Sequence, residues 1–210
     1  MQFLVIAATK QEIQPFIAHN NKNVEVLITG VGIPATLYHL QKRLQQIDYD
    51  FIIQAGIGGT FTETINLAEV VLVKQDTFGD IGMEEKEKFT GIFQSGFADK
   101  DEFPFTDGWL VNRDTLFNTS SLQSVNAITV NKVSDSLLQT KQLLQNFGAQ
   151  TESMEGAAFH YVCLQEHIPF VQIRSISNIV RERSKSKWLM KEAIDNLTTE
   201  MINLIGLLTG

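Results

Sequence analysis

Four short stretches carry residue types that can do chemistry. Gly30-Val31-Gly32-Ile33-Pro34-Ala35 has the spacing G-x-G-x-x-A, and Asp48 and Asp50 follow at roughly the ~20-residue distance of a ribose-binding acid. That pattern is either a dinucleotide fingerprint or a strand-to-helix turn that needs positive φ. It follows the second apolar run of the chain rather than the first, which weighs against a cofactor. Gly56-Ile57-Gly58-Gly59 lets backbone N–H groups approach a phosphate or a water, or makes a plain turn. It lacks the Gly-Lys-Ser/Thr ending of a P-loop. Glu152-Ser153-Met154-Glu155-Gly156-Ala157-Ala158 sets two carboxylates three apart at a strand-to-helix junction, where Glu155 could also simply favour the helix start. Arg174-Ser175-Ile176-Ser177-Asn178 ends an apolar run in a polar pair. A buried arginine needs a carboxylate partner; Glu12, Glu152 and Glu155 are the suppliers, and the sequence does not choose among them.

These stretches need elements to hold them. Phe3-Leu4-Val5-Ile6-Ala7 reads as a buried strand, and Glu12 falls in a short helix with Pro15 in its first turn. Residues 24–28 form a second strand. After Gly30-Val31-Gly32, Pro34 opens a helix through Leu37, Leu40 and Leu44. Phe51-Ile52-Ile53-Gln54-Ala55 is a third strand, ending at the glycines. Glu69-Val70-Val71-Leu72-Val73 is a fourth, and residues 125–130 are another. Residues 136–147 form an amphipathic helix that Gly148 caps. A short strand near Thr151 leads into a helix from Gly156 through Tyr161 and Leu164. Residues 170–176 form a strand, and residues 187–208 a long terminal helix. Residues 74–123 are harder to read; their charge runs suit solvated faces and loops. Alternating strands and helices predict one three-layer α/β domain over residues 1–210. In such folds function sits where strands end.

Composition narrows the classes. The chain has 210 residues, 43% hydrophobic and 20% charged, with a formal net charge of −7. No basic patch predicts nucleic acid, and the negative balance gives no pull toward an anionic membrane. The apolar opening is far short of the ~20 residues of a spanning helix and lacks a basic n-region. A single cysteine, Cys163, excludes a disulfide framework and a cysteine-rich metal site, as in a reduced cytoplasmic protein. Cys163 falls on a helix, in the core. His19, His39, His160 and His167 make no metal spacing, and each suits a helix surface or a satisfied half-buried site. No Gly-x-Ser-x-Gly elbow is present.

Taken in order, Glu12, Gly30-Val31-Gly32, Gly56-Ile57-Gly58-Gly59, Ser153-Met154-Glu155-Gly156-Ala157 and Ser175-Ile176-Ser177-Asn178 resemble the nucleoside phosphorylase and nucleosidase superfamily. The resemblance spans nearly the whole chain. Within the superfamily the chain is most similar to the futalosine hydrolases, on residues 152–159, Ile168-Pro169-Phe170, Thr129-Val130-Asn131-Lys132-Val133-Ser134 and Ser177-Asn178-Ile179-Val180. It is close also to methylthioadenosine/adenosylhomocysteine nucleosidases. The resemblance implies a central mixed β-sheet flanked by helices and no metal or organic cofactor. It implies a small purine nucleoside as substrate and a homodimer or larger homo-oligomer. Glu12 is then the residue that activates water, and Glu155 the one that binds the ribose hydroxyls. Gly56, Ile57, Gly58, Val130, Asn131, Met154 and Ser177 are implied to bind substrate, with Met154 against the sugar. Arg174 would orient a carboxylate from behind. The implied reaction is removal of hypoxanthine from futalosine in an alternative menaquinone pathway.

One departure bears on the base. The adenine-specific relatives have Asp where this chain has Asn178. Asparagine is no acid, but its amide donates and accepts, which suits the 6-oxo acceptor of hypoxanthine. A mismatched, unpaired polar group costs ~1–3 kcal/mol, roughly a tenfold to hundredfold preference. Breaking an N-ribosidic bond develops positive charge on the sugar, so anions belong beside it. A glutamate at the nucleophile position favours water over phosphate, and no arginine precedes Arg43. Phosphorolysis remains the enzyme alternative, because Gly30-Val31-Gly32-Ile33-Pro34 looks like a phosphorylase loop. Action on methylthioadenosine, adenosylhomocysteine or inosine, and non-catalytic nucleoside binding, are further alternatives. Residues 89–105 are a candidate lid, interface or packed surface loop.

Overall fold

A strand with no polar face must be covered on both sides. Phe3–Ala7 (β1) is such a strand, and all five of its residues are buried. In the computed structural model, which describes residues 1–19, 24–182 and 184–209, β1 lies between β2 (Val24–Ile28) and β3 (Phe51–Thr60), parallel to both. Helices α1 (Lys10–Ala18) and α6 (Met190–Thr209) close one face. There Ile13, Phe16, Leu197 and Met201 pack on Phe3 and Val5. Helices α2 (Ile33–Leu44) and α5 (Gly156–Gln165) close the other, with Leu40, Phe159 and Cys163 on Leu4 and Ile6. Side chains alternate across the strand, so one five-residue run feeds two cores.

The sheet then curls. β3 pairs in parallel with β10 (Phe170–Ile179) from Ile52 to Thr60. Its other edge changes partner: residues 51–54 pair with β1, and Gly59 and Thr60 pair with β9 (Thr151–Ser153). β4 (Val70–Phe78) joins β10 antiparallel and β8 (Gln123–Thr129) in parallel, and β8 joins β9. Five strands therefore form a closed ring, with β1 and β2 extending from it. The sheet is mixed, flanked by helices, as expected. Helix α4 (Leu137–Phe147) packs outside the ring on Ile128 and Val130. Ser136 caps its start, and Gly148 ends it at φ 58°.

Several boundaries differ from expectation, each for a physical reason. Gly56 to Gly59 are not a turn but the middle of β3, held by the ladder to β10. Pro15 lies in the second turn of α1, not the first, because the helix begins at Lys10. β4 runs on to Phe78 and β10 to Ile179, since ring partners pair their polar ends too. The terminal helix begins at Met190, after a 3₁₀ turn at Lys185–Lys187. Residues 74–123 hold elements after all: a hairpin of β5 (Gly82–Glu85) and β6 (Lys88–Gly91), a two-residue strand β7 (Leu110–Val111), and a helical turn α3 (Leu116–Thr119). β5 is exposed at every position, so no apolar period marks it.

Candidate active site

The first carboxylate is placed by a helix start. Thr9-Lys10-Gln11-Glu12 has the S/T-x-x-E spacing of a capping box. Thr9 N–H and Oγ1–H donate to Glu12 Oε2 (3.0 and 2.8 Å), and Glu12 N–H donates to Thr9 Oγ1 (3.4 Å). The other oxygen, Oε1, accepts from Ile57 N–H of β3 at 3.1 Å. Glu12 is 8% exposed, and both its oxygens are oriented by groups from two elements.

The second carboxylate is placed by the end of β9. Glu155 is the N-cap residue of α5, yet its side chain makes no capping bond. It reaches across to α2, where Gly32 N–H donates to Oε1 at 3.0 Å. Gly32, at φ 93°, and Gly30, at φ 86°, take backbone shapes that side chains resist, which lets this loop present its N–H. Glu155 Oε2 faces Arg174 Nη1 at 3.7 Å, so Arg174 takes its partner from Glu155. Arg174 is 2% exposed and its Nη1 also lies 3.5 Å from Ile57 O. Among the described residues its buried Nη2 has no hydrogen-bond partner.

Gly56 is where these groups meet. A Cβ there would collide with Arg174 Nη1 and stand 3.1 Å from Glu12 Oε1. The glycine serves close approach of side chains, not a turn. Burial pushes the Glu155 carboxyl up, and the nearby Glu12 charge adds to this; Arg174 and the Gly32 N–H oppose it. At Gly56 two carboxylates meet one guanidinium, so this corner of the site is poorer in positive charge than in negative. A developing cation relieves that imbalance.

These groups wall a cavity of about 280 Å³. Glu12, Ile57, Gly58, Met154, Glu155, Ser177 and Asn178 all line it. Gly56 and Arg174 stand behind that wall. Val130 and Asn131 are elsewhere: Val130 is in the core under α4, and Asn131 is bound to Asp80 through its N–H and Nδ2 (2.6 and 3.0 Å). Asn178 is oriented by two bonds. Its Oδ1 accepts from Ser177 Oγ at 2.8 Å, and its Nδ2 donates to Ile179 O at 3.0 Å. Thr9, Val31, Ser134, Arg181, Trp188 and Met190 also line the cavity. Thr9 was findable from the capping-box spacing. Trp188 and Met190 carry no local signal; a bond from Leu189 N–H to Ser177 O (2.9 Å) draws them in. No residue from 89 to 105 reaches this cavity, so that stretch is not a lid on it within one chain. Among the described residues no group of His, Cys, Asp and Glu could hold a metal.

The profile of the phosphorylase superfamily matches residues 8–210. The chain belongs to this superfamily. Among its relatives, futalosine hydrolase of Thermus thermophilus is 28% identical over 183 residues, covering 86% of this chain and 80% of that protein. A 5'-methylthioadenosine/S-adenosylhomocysteine nucleosidase of Colwellia psychrerythraea is 22% identical over 91% of this chain and 82% of its own length. The solved futalosine hydrolase of Helicobacter pylori superposes with a TM-score of 0.81 over 98% of this chain and 97% of that one, at 13% identity. That likeness shows the superfamily fold. In this superfamily member the glycine loop at Gly30 to Gly32 binds Glu155 through the Gly32 N–H rather than forming a dinucleotide fingerprint.

Proposed function

We propose that this chain hydrolyses the N-ribosidic bond of futalosine and releases hypoxanthine, in an alternative menaquinone route. The observation that carries the reading is the convergence of Glu12, Glu155 and Arg174 at Gly56-Ile57, against a cavity with Asn178 on its wall. Futalosine hydrolases of Thermus thermophilus and Streptomyces coelicolor, similar to this chain at 28% and 26% identity, support the choice of nucleoside.

Glu12 takes a proton from water, and the water oxygen bonds to C1′ of the ribose. The C1′–N bond breaks, and its electron pair leaves with the purine, which takes up a proton. Glu155 holds a ribose hydroxyl and lowers the energy of the cationic sugar. Asn178 spends one N–H on Ile179 O and directs the other at the base, where a 6-oxo or N7 acceptor receives it. No cofactor enters the reaction. The working unit is a cytoplasmic homodimer or larger homo-oligomer, with the exposed Phe97 and Phe103 as candidates for the contact. Light scattering on the purified protein measures that size.

One observation favours a second reading. Arg181 lines the cavity and could draw phosphate to it. Chromatography of the products separates the readings. The pure protein is given futalosine, inosine and methylthioadenosine, each with and without phosphate. Hypoxanthine from futalosine, with or without phosphate, is the expected result. Release that requires phosphate means phosphorolysis. Adenine from methylthioadenosine makes the chain an adenine nucleosidase. No release from any substrate leaves nucleoside binding alone.

A further inference from the structure

Behind the cavity a fully buried acid, Asp76 of β4, has no place in the reaction as described. It is linked to Glu155 along two paths. On one, Thr129 Oγ1–H donates to Asp76 Oδ1 (3.0 Å) and accepts from Ala157 N–H (2.7 Å), in the first turn of α5 next to Glu155. On the other, the Gln172 amide sits between Asp76, His160 and Arg174. With the amide assigned in the orientation that satisfies both its ends, its NH₂ donates to Asp76 Oδ2 (3.3 Å) and to His160 Nε2 (2.9 Å), and its oxygen accepts from Arg174 Nε–H (3.1 Å). His160 Nδ1 then donates to Leu110 O (2.9 Å), so the imidazole is neutral. Gly156 completes the contact, because a Cβ there would collide with Asp76 Oδ2 and the Gln172 amide.

We propose that Asp76 is a positioning residue for Glu155: it anchors the start of α5 through Thr129 and, through Gln172, aims Arg174 at the Glu155 carboxylate. This rests on the role given to Glu155 above. In this orientation Asp76 accepts at both oxygens, from Thr129 at Oδ1 and from Gln172 at Oδ2, as a carboxylate does. A proton on Oδ2 would have to be donated to the Gln172 oxygen. The amide would turn over, and an NH₂ would face Arg174 Nε–H, donor against donor. The link to Glu155 would break. The charged or titratable groups around Asp76 are Arg174 from β10 and, across the Gln172 amide, His160 from α5. Burial pushes Asp76 up to about 7, and Arg174 and the hydrogen bonds oppose this. Burial holds His160 down to about 4, so it stays neutral through this range.

The test is Asp76→Asn in the full chain, with base release followed against pH. Wild type should lose kcat in acid with an apparent pKa near 7. Asp76→Asn should lower kcat at least ~tenfold with KM held within about threefold, and the acid limb should vanish. A folded variant with wild-type kcat and pH profile overturns the proposal. If the variant does not fold, Gln172→Met cuts the whole path through Gln172 and leaves the Thr129 path, and should show a kcat loss at constant KM; full kcat there overturns it. If wild type releases no base, the functional reading fails first, and ¹³C NMR of labelled glutamate still decides this one. The Glu155 titration, assigned with Glu155→Gln, should move by more than about half a pH unit in Asp76→Asn. An unmoved titration overturns the proposal.

Discussion

Two carboxylate–cation pairs in this molecule have opposite characters. Arg174–Glu155 lies in the seam between β10 and α5, with side chains 3% and 7% exposed, at 3.7 Å. Lys100–Asp107 lies in the excursion between β4 and β8, closer together, with side chains 55% and 73% exposed. The longer pair is the one the fold shields from water. Water and salt screen the surface pair, whereas each seam charge is held by groups from other elements. Glu12 is bonded by Thr9 before α1 and by Ile57 of β3, and Glu155 by Gly32 before α2 and by Arg174 of β10. The excursion is held mostly by its own short-range bonds, such as Phe97 N–H to Ile92 O and Asp107 N–H to Asp101. A site is made where distant elements each fix one atom, not where two charges come closest.

The comparison breaks most visibly at the two glutamates. Glu12→Gln and Glu155→Gln each keep shape and lose charge. Each should lower kcat on the order of a thousandfold, with circular dichroism confirming the fold. Near-normal turnover would make the seam no more functional than the excursion.

The next effect is on stability. Asp76, raised to about 7, favours the folded state in acid, so its contribution grows as pH falls through 7 toward its unfolded value near 4. His160, lowered to about 4, does the reverse: its contribution is full above 6.5 and is lost as pH falls toward 4. Each spans about 3–4 kcal/mol, so the two offset and the wild-type Tm should stay nearly level from roughly pH 7.5 to 4.5. Asp76→Asn leaves only the histidine, and its Tm should fall by about 5–10 °C over that range. Parallel wild-type and variant profiles would contradict this balance.

Asn178→Asp sharpens the comparison within the cavity. It should shift preference toward adenine nucleosides by roughly tenfold to hundredfold, read as the ratio of kcat/KM for the two bases. The smallest effect belongs to the excursion. Lys100→Ala removes its pairs with Asp101 and Asp107. It should leave kcat within about twofold and Tm within about 2 °C; a larger loss would give the excursion a role the seam alone now has.

The seam was the more legible region because its signals are local. An apolar run without a polar face implied β1, and the junctions at Glu12 and Met154-Glu155-Gly156 stand where expected, whereas Ser177-Asn178 lie inside β10 rather than past its end. What escaped depends on contacts between distant residues. Gly56 to Gly59 read as a turn, since nothing in four residues reveals that Arg174 and Glu12 must pack against Gly56. Thr9 went unnoticed beside Glu12. Asp76 sits in Lys74-Gln75-Asp76-Thr77, a polar run that hides a strand whose partners are a ring of other strands. The hairpin of β5 and β6 buries too little to leave an apolar period.

The central claim is that Glu12 directs water, not phosphate, at C1′. Turnover of futalosine in H₂¹⁸O with phosphate present tests it directly, by mass spectrometry of the released sugar. The account predicts one ¹⁸O atom at C1′ in wild type and almost no labelled sugar from Glu12→Gln. A sugar 1-phosphate without label would contradict it.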